Sequence, residues 1–292
     1  MATRSAFMMK KPTCLITGAT SGIGKAAAFA LAGRGCQMVL LGRSAEKLGR
    51  TIAEIRKKEN DADVHPYVCD FSLIQDVRDL ASKMRKAHDR IDVLINNAGA
   101  RFLHHGLTRE GMELTLVTNH LGHFVLTLSL MEALERSDGA RIINVASGAH
   151  FGGTGVIENI VSEKGYDGRL QYANSKLANV LFTYALAEKL LGRRVAVNAV
   201  DPGGVATNFA RNNGWFPWLR HRLAYLRSGS LLTPEQGAET IVYLAESGDA
   251  EGVSGKYFRN KKEQKSSALS YDRETQERLW AASVAWSGIG LV

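Results

Sequence analysis

The sequence predicts an α/β protein, a single doubly wound domain whose strands pair in parallel. Three observations carry this expectation. Short apolar runs alternate with longer helix-patterned segments along the 292 residues. No tight hairpin turn joins one run to the next, so right-handed crossovers and parallel pairing are expected. No linker or internal repeat divides the chain, so one domain spanning 1–292 is the economical reading.

Each element follows from its pattern. TCLIT (Thr13–Thr17) is short, apolar and stopped by glycine, hence a strand, and the alanine-rich run Lys25–Gly35 ends on glycine, hence a helix. Cys36–Gly42 is the second strand, followed by a charged helix from about Ala45 to Asn60. Val64–Asp70, with a proline near its start, is the third, and a helix from Ser72 to about His88 leads to the fourth, Ile91–Asn96. A long helix over roughly Thr108 to Glu135 precedes the fifth strand, Ala140–Ser147. The glycine-rich 148–168 reads as a loop, and a helix from about Arg169 to Leu191 comes next. Arg194–Asp201 is the sixth strand and Gly255–Phe258 a short seventh.

A formal charge of +8 raises the question of a nucleic-acid or membrane-surface partner. The basic residues are scattered, with short clusters only at Arg56–Lys58 and Lys261–Lys262 and no aromatic-interleaved stripe. A solvated basic surface that favours anionic ligands is expected, and no nucleic acid. Apolar runs such as Val39–Leu41 fall far below the ~20 residues a bilayer span needs, and MATRSAFMMKKPT is too short and interrupted for a secretory signal. No integral membrane anchor and a cytoplasmic location are expected. Cys14, Cys36 and Cys69 lie in or beside predicted strands without metal-ligand spacing and read as small reduced core residues. His104, His105, His120 and His123 form no metal pattern, so no metal is expected. His120 and His123 share a helix face and should pack near the core.

Directly after the first strand comes TGATSGIG, opening a helix. Such a junction lets backbone N–H groups and the positive helix end meet a pyrophosphate, and glycine permits the turn and the close approach. Gly18, Ser21, Gly22, Ile23 and Gly24 are therefore assigned to a dinucleotide. A glycine trio alone is often only a tight turn; the flanking strand and helix favour the cofactor. About 20 residues further on, an NAD site carries an acid for the ribose hydroxyls, but this chain reads LLGRS. An acid would repel a 2′-phosphate whereas the fork of Arg43 binds one, so NADP(H) is expected, with Ser44 and Lys25 as candidate helpers. A plain surface arginine is the alternative.

In LQYANSKLANVLF, Tyr172 and Lys176 stand four residues apart, on one helix face. They are a general acid with its tuning cation or two solvated side chains, and the spacing does not choose.

Taken in order, TGATSGIG, CDFS, NNAG, TNHLGHF, INVAS, YANSK and DPGGVATN resemble the short-chain dehydrogenase/reductase family over about Pro12 to Leu279. SKLANVLFTYALAEKL, SGKYF and RETQERLWAAS resemble its retinol dehydrogenase-like branch. The resemblance implies a Rossmann-type sheet of seven parallel strands, order 3-2-1-4-5-6-7, flanked by helices. It implies that Asp70 contacts the adenine amino group with Phe71 nearby, and that Asn97, Ala98 and Gly99 line the cofactor. Pro202 and Gly203 would shape a loop holding the nicotinamide carboxamide, contacted through Val205 and Thr207. It also implies a catalytic set of Asn119, Ser147, Tyr172 and Lys176, the last two touching cofactor as well.

Those residue types suit hydride transfer at a carbonyl carbon, where negative charge on the oxygen must be stabilised and protonated. A free phenol, pKa ~10, exchanges protons poorly near neutrality; an adjacent ammonium favours phenolate. On the resemblance, Tyr172 passes the proton, Lys176 tunes it and holds the ribose hydroxyls, Ser147 orients the substrate oxygen, and Asn119 anchors a water. The four together fit one mechanism, which answers the question of the Tyr172–Lys176 pair.

Departures are also visible. Ala146 stands where relatives often have a second serine, and many relatives separate the counterparts of Ser147 and Tyr172 by about half as many residues. The intervening GAHFGGTGVIENIVSEKGYDGR is expected to border the substrate mouth or alter the helix face that many relatives use to oligomerise, which leaves a homo-oligomer open. Within it, His150 is expected on the surface or at the pocket rim. The aromatic, apolar segment 208–232, with interleaved arginines, reads as a substrate lid. Alternatives are a pair of amphipathic helices on the core, or contact with a membrane surface through Arg220, Arg222 and Arg227. The expected activity is that of an NADP(H)-dependent carbonyl reductase or alcohol dehydrogenase acting on a hydrophobic aldehyde, ketone or alcohol. Its rivals are a dinucleotide-binding regulatory protein without turnover, against which the intact catalytic set counts, and a nucleic-acid binder motivated only by charge.

Overall fold

The computed structural model describes residues 11–155, 165–205 and 231–291. Eight strands form one sheet in the order β3-β2-β1-β4-β5-β6-β7-β8. They are β1 (Thr13–Thr17), β2 (Gln37–Gly42), β3 (Val64–Val68), β4 (Val93–Asn96), β5 (Ala140–Val145), β6 (Val195–Val200), β7 (Lys256–Arg259) and β8 (Lys262–Gln264). The first seven pair in parallel in the expected order. The eighth is an addition to the seven-strand expectation: β8 returns antiparallel along β7. The turn between them is centred on Asn260 and Lys261, with φ of 52° and 60°. Two successive left-handed residues make the primed turn that suits a two-residue hairpin. Lysine is an unusual occupant of such a position, which is why the pattern shows no hairpin.

The central strands are covered on both faces, and alternate residues sort between two cores. Leu15, Val39, Leu41 and Leu94 join a cluster with Val77, Leu80, Phe124 and Leu126. Cys14, Ile16, Met38 and Leu40 join the opposite one with Ala27, Leu31, Leu48 and Ile241. The three cysteines are buried and unpaired.

Helices α1 (Gly22–Ala32), α2 (Ala45–Lys58), α3 (Ile74–Ala87) and α7 (Gly168–Lys189) match the expected segments. The long helix does not begin at Thr108. Residues Thr108–Met112 form a turn, and the buried Glu113 carboxylate accepts from the N–H groups of Thr115 and Leu116 to start the helix there. From that start the helix runs in pieces: α4 (Leu114–Leu116), a π-helical turn (Val117–Leu121), α5 (Gly122–Ser129) and α6 (Met131–Glu135). Two further helices complete the layers. α8 (Pro234–Glu246) opens with a Thr233–Gln236 capping box and a proline in its first turn. α9 (Arg273–Ser287) lies across α5 and α7, with Trp280 against Phe124 and Phe182 at 5.2 and 6.1 Å between ring centres. Among the described residues, no helix is long and apolar enough to cross a membrane.

Candidate active site

Strand order reverses between β1 and β4, and the segments leaving those two strands meet there. Thr17 ends β1, and its hydroxyl oxygen accepts from the N–H groups of Asn97 and Ala98 at 2.9 and 2.8 Å. Asn97 answers by donating from its amide to the Thr17 carbonyl at 2.8 Å. Gly18 and Gly22 take φ of +69° and +55°. A Cβ on Gly24 would lie 2.4 Å from Asn97 Nδ2 and 2.6 Å from Gly18 O, so the helix start admits glycine only.

The N-terminus of α1 differs from those of the other long helices that start from a loop. Side chains of Ser44, Asp167, Thr233 and Asp272 cap α2, α7, α8 and α9, and the Glu110 carboxylate accepts from the first N–H groups of α3. Ser21 makes no such bond and the first turn of α1 holds no acid. Unsatisfied N–H groups and the positive helix end fit an anionic group. Beside this turn, Leu41 O accepts from Ala19 N and Gly42 O from Cys69 N, which brings the ends of β2 and β3 alongside. Arg43 is exposed there. Asp70 Oδ1 accepts from the N–H and hydroxyl of Ser72. These groups fit a dinucleotide laid across the ends of the strands.

Three expected contacts are otherwise engaged. Lys25 pairs with Glu54 at 2.6 Å. The Ser44 hydroxyl accepts from Lys47 N as the α2 cap. Phe71 is buried, with its ring 5.0 Å from that of His123.

The second half of the site is built on α7 and the π-helical turn. Lys176 is buried, and its Nζ donates to Val145 O, the last carbonyl of β5, at 2.9 Å. Loss of hydration pushes its pKa down to about 8, while the Asp201 carboxylate opposes the shift. Nζ lies 5.9 Å from the ring centre of the half-buried Tyr172, one turn earlier on α7. Asn119, in the π-helical turn, clamps Ala100: its amide donates to Ala100 O at 2.9 Å and accepts from Ala100 N at 2.8 Å. It donates a further bond to Ser175 Oγ at 2.9 Å, and Ser175 donates to Tyr172 O at 2.8 Å. A Cβ on the exposed Gly99 would sit 3.2 Å from Asn119 Oδ1 and 3.5 Å from Lys176 Nζ. The NNAG segment, Asn119 and Lys176 thus converge beneath an open glycine.

Ser147 stands two residues beyond β5, and its hydroxyl accepts from Ala149 N at 3.2 Å. Gly148 lies against the buried Asp201, with its Cβ direction 3.3 Å from Oδ2. Asp201 Oδ1 accepts from Gly203 N at 2.9 Å, and Gly203 takes φ of +80°, which shapes the turn with Pro202. Val205 bridges to Leu232 and its methyls lie against Gly237 of α8, which Ile23 of α1 also meets. Thr207 and 208–230 of the expected lid lie outside the described residues, as do 156–164 of the long loop.

Several groups at this site were not among the expected residues. His123 is one. With both lone pairs of Thr17 Oγ1 taken by N–H donors, its hydroxyl hydrogen goes to His123 Nε2 at 2.9 Å. Nδ1 then carries the proton and donates to Asn119 O at 3.1 Å. Burial pushes this ring down to about 3, so it stays neutral. The expectation for His150 is corrected: it is fully buried, not at the surface or a rim. Thr17, His123 and Asp201 sit inside the quoted motifs, and a polar residue at an otherwise apolar strand end or helix face is the signal that marks them.

A parallel sheet with this crossover order, a glycine turn at the switch point and a Tyr–Lys helix beside it define a dinucleotide-dependent oxidoreductase. The short chain dehydrogenase model matches residues 12–215, and the chain belongs to the short-chain dehydrogenase/reductase family, in its retinol dehydrogenase-like branch. It is 36% identical over 289 residues to Retinol dehydrogenase 13 of Mus musculus, covering 96% of this chain and 84% of that one. Identity to Retinol dehydrogenase 12 of Homo sapiens is 38% over 275 residues, covering 94% and 86%. Identity to Polyprenol dehydrogenase of Homo sapiens is 35% over 283 residues, covering 94% and 84%. Among solved structures, an uncharacterised protein from Mycobacterium paratuberculosis superposes with a TM-score of 0.77 at 26% identity, over 98% of this chain and 96% of that one. A variant of actinorhodin polyketide ketoreductase, solved with NADPH, gives 0.66 at 29%, over 85% and 95%.

Proposed function

We propose that the protein is an NADP(H)-dependent oxidoreductase that transfers hydride between the nicotinamide and the carbonyl or hydroxyl carbon of a hydrophobic aldehyde, ketone or alcohol. The observation that carries this reading is the convergence of Lys176, Asn119 and Gly99 beside Tyr172 at the strand switch point. Relatives named for retinol and polyprenol support a long apolar substrate. The uncapped α1 terminus takes the pyrophosphate, and exposed Arg43, with no acid in its place, takes the 2′-phosphate.

The bound dinucleotide supplies the hydride chemistry; the chain supplies the proton and the alignment. Tyr172 donates its phenolic proton to the substrate oxygen during reduction and takes it back during oxidation. The Lys176 ammonium favours the phenolate and is itself oriented by Val145 O. Ser147 turns its hydroxyl to the same oxygen. Asn119 holds Ala100 and the Ser175 hydroxyl, which fixes the distance between the NNAG segment and α7.

The test follows NADPH and NADH consumption against a panel of retinoid, aromatic, steroid and aliphatic carbonyls. NADPH should be preferred, and Arg43→Ala should lower that preference about 10-fold or more, the worth of one charge-assisted contact. Equal use of both cofactors, unchanged by the substitution, rejects the NADP(H) assignment; inactivity across the panel rejects the carbonyl reading.

A further inference from the structure

Behind Ser147 stands a ring with no part in that chemistry. His150 lies in the 3-10 turn Gly148–Gly152 and is fully buried. Its Nδ1 is 2.8 Å from Ser147 O and its Nε2 is 3.0 Å from the backbone nitrogen of Ser267. A backbone N–H only donates, so Nε2 accepts. A carbonyl only accepts, so Nδ1 carries the proton. Both bonds require one neutral tautomer, and burial, which lowers this ring's pKa against the bond to Ser147 and the charge of Asp201, favours the neutral form. The ring also lies on Tyr257, with centres 4.9 Å apart.

We propose that His150 is a positioning residue for Ser147, fastening its peptide to the C-terminal segment; this rests on the reading of Ser147 given above. Ser147 has left β5, and its hydroxyl direction follows the plane of the peptide whose carbonyl His150 holds. That carbonyl takes two bonds from the one residue, from the ring and from the backbone N–H of His150 at 3.0 Å. The far anchor is itself fixed. Ser270 Oγ donates to Ser267 O at 2.6 Å, and Ser266 Oγ is bonded to Tyr184 of α7 at 2.7 Å. The clamp therefore runs from the C-terminal segment, through His150, to Ser147, with its anchor tied to the helix that carries Tyr172 and Lys176.

Three substitutions test it. His150→Phe keeps a ring on Tyr257 and removes both hydrogen bonds. His150→Asn places an amide N–H near the position of Nδ1 and restores the bond to Ser147 O. Ser267→Pro replaces the N–H behind the ring with a methylene aimed at Nε2, which breaks that bond and displaces the imidazole from its anchor, at a residue whose φ of −61° suits proline and whose hydroxyl has no partner. Turnover is read with NADPH and all-trans-retinal or para-nitrobenzaldehyde, and cofactor affinity by NADPH fluorescence titration. His150→Phe should lower kcat about 10-fold or more with NADPH affinity unchanged, the size expected for misplacing a reacting group by a fraction of an ångström. His150→Asn should recover most of that loss, and Ser267→Pro should show part of it. A folded His150→Phe with wild-type kcat, or His150→Asn as impaired as His150→Phe, overturns the proposal. Should His150→Phe fail to fold, wild-type kcat in Ser267→Pro overturns it instead. Ser147→Ala separates the layers: full turnover there rejects the role of Ser147, whereas loss there with unimpaired His150 and Ser267 variants rejects only the clamp. Independently of turnover, nitrogen-labelled histidine spectra of the NADPH complex should show a resonance for Nδ1–H, absent from His150→Asn. A proton on Nε2 instead overturns the proposal.

Discussion

Lys176 has exchanged its water shell for one carbonyl and a distant carboxylate, and its ammonium is correspondingly easy to deprotonate. On the proposed reading this places an alkaline limit on turnover. The charge is present below a pH of about 8 and lost as pH rises through it, so kcat/KM for NADPH should fall on that side. A profile flat to pH 10 would remove Lys176 from the mechanism. Tyr172→Phe makes a sharper demand, since it deletes the proton donor and leaves every described contact of the glycine turn in place. Turnover should fall by at least about 100-fold, the lower end of what one acid–base group supplies, while NADPH affinity is kept. Retained activity would transfer the proton to another group.

Elements decide what single residues cannot. Asn119 reaches both Ala100 and Ser175 because one π-helical turn interrupts an otherwise α-helical segment. Such a turn is characteristic of functional positions. Gly122 belongs to the same adaptation: a Cβ there would sit 2.8 Å from Phe71 O, so the helix approaches the segment after β3 more closely than another residue permits. The β7–β8 hairpin shows the opposite economy, with Lys261 in a left-handed conformation that glycine prefers. Lys261→Gly should stabilise the fold by about 1 kcal/mol, the penalty of a side chain in that region. The exposed ion pair of Lys261 with Glu239 offsets little of this. A lower urea midpoint for the variant would show that this pair matters more, since the backbone bond from Lys261 N to Thr240 Oγ1 is kept by glycine.

The whole molecule is set for neutral and mildly alkaline conditions by buried imidazoles. His120 and His123 are both enclosed between the sheet and the outer helices, and burial pushes them down to about 4 and about 3. In the unfolded chain a histidine titrates near 6.5. Between these values the unfolded state binds more protons, so stability is complete above about 6.5 and is lost as pH falls toward 4 and 3. The two together should remove several kcal/mol by pH 4, read as a falling urea midpoint. A midpoint unchanged from pH 7 to 4.5 would mean that both rings stay accessible to protons in the fold.

Much of this architecture was legible in the sequence because it is local. Apolar runs of strand length, the glycine spacing of TGATSGIG and the four-residue step from Tyr172 to Lys176 are properties of neighbouring residues, and the first seven strands follow the expected order. The long helix starts later than its pattern predicts because a buried carboxylate, Glu113, sets it from outside the periodic pattern. His150 lies deeper than its place in a glycine-rich loop predicts for a related reason: its partner Ser267 lies 117 positions away. Neighbouring residues were enough to set which elements form and which residue types stand at the strand ends. Folding had to supply the rest: His123 joining Thr17 to Asn119, the charge of Asp201 acting on Lys176, and the C-terminal segment gripping the loop behind Ser147. Burial and the donor–acceptor sense of a hydrogen bond are set by groups distant along the chain, and those meet only when the sheet is assembled.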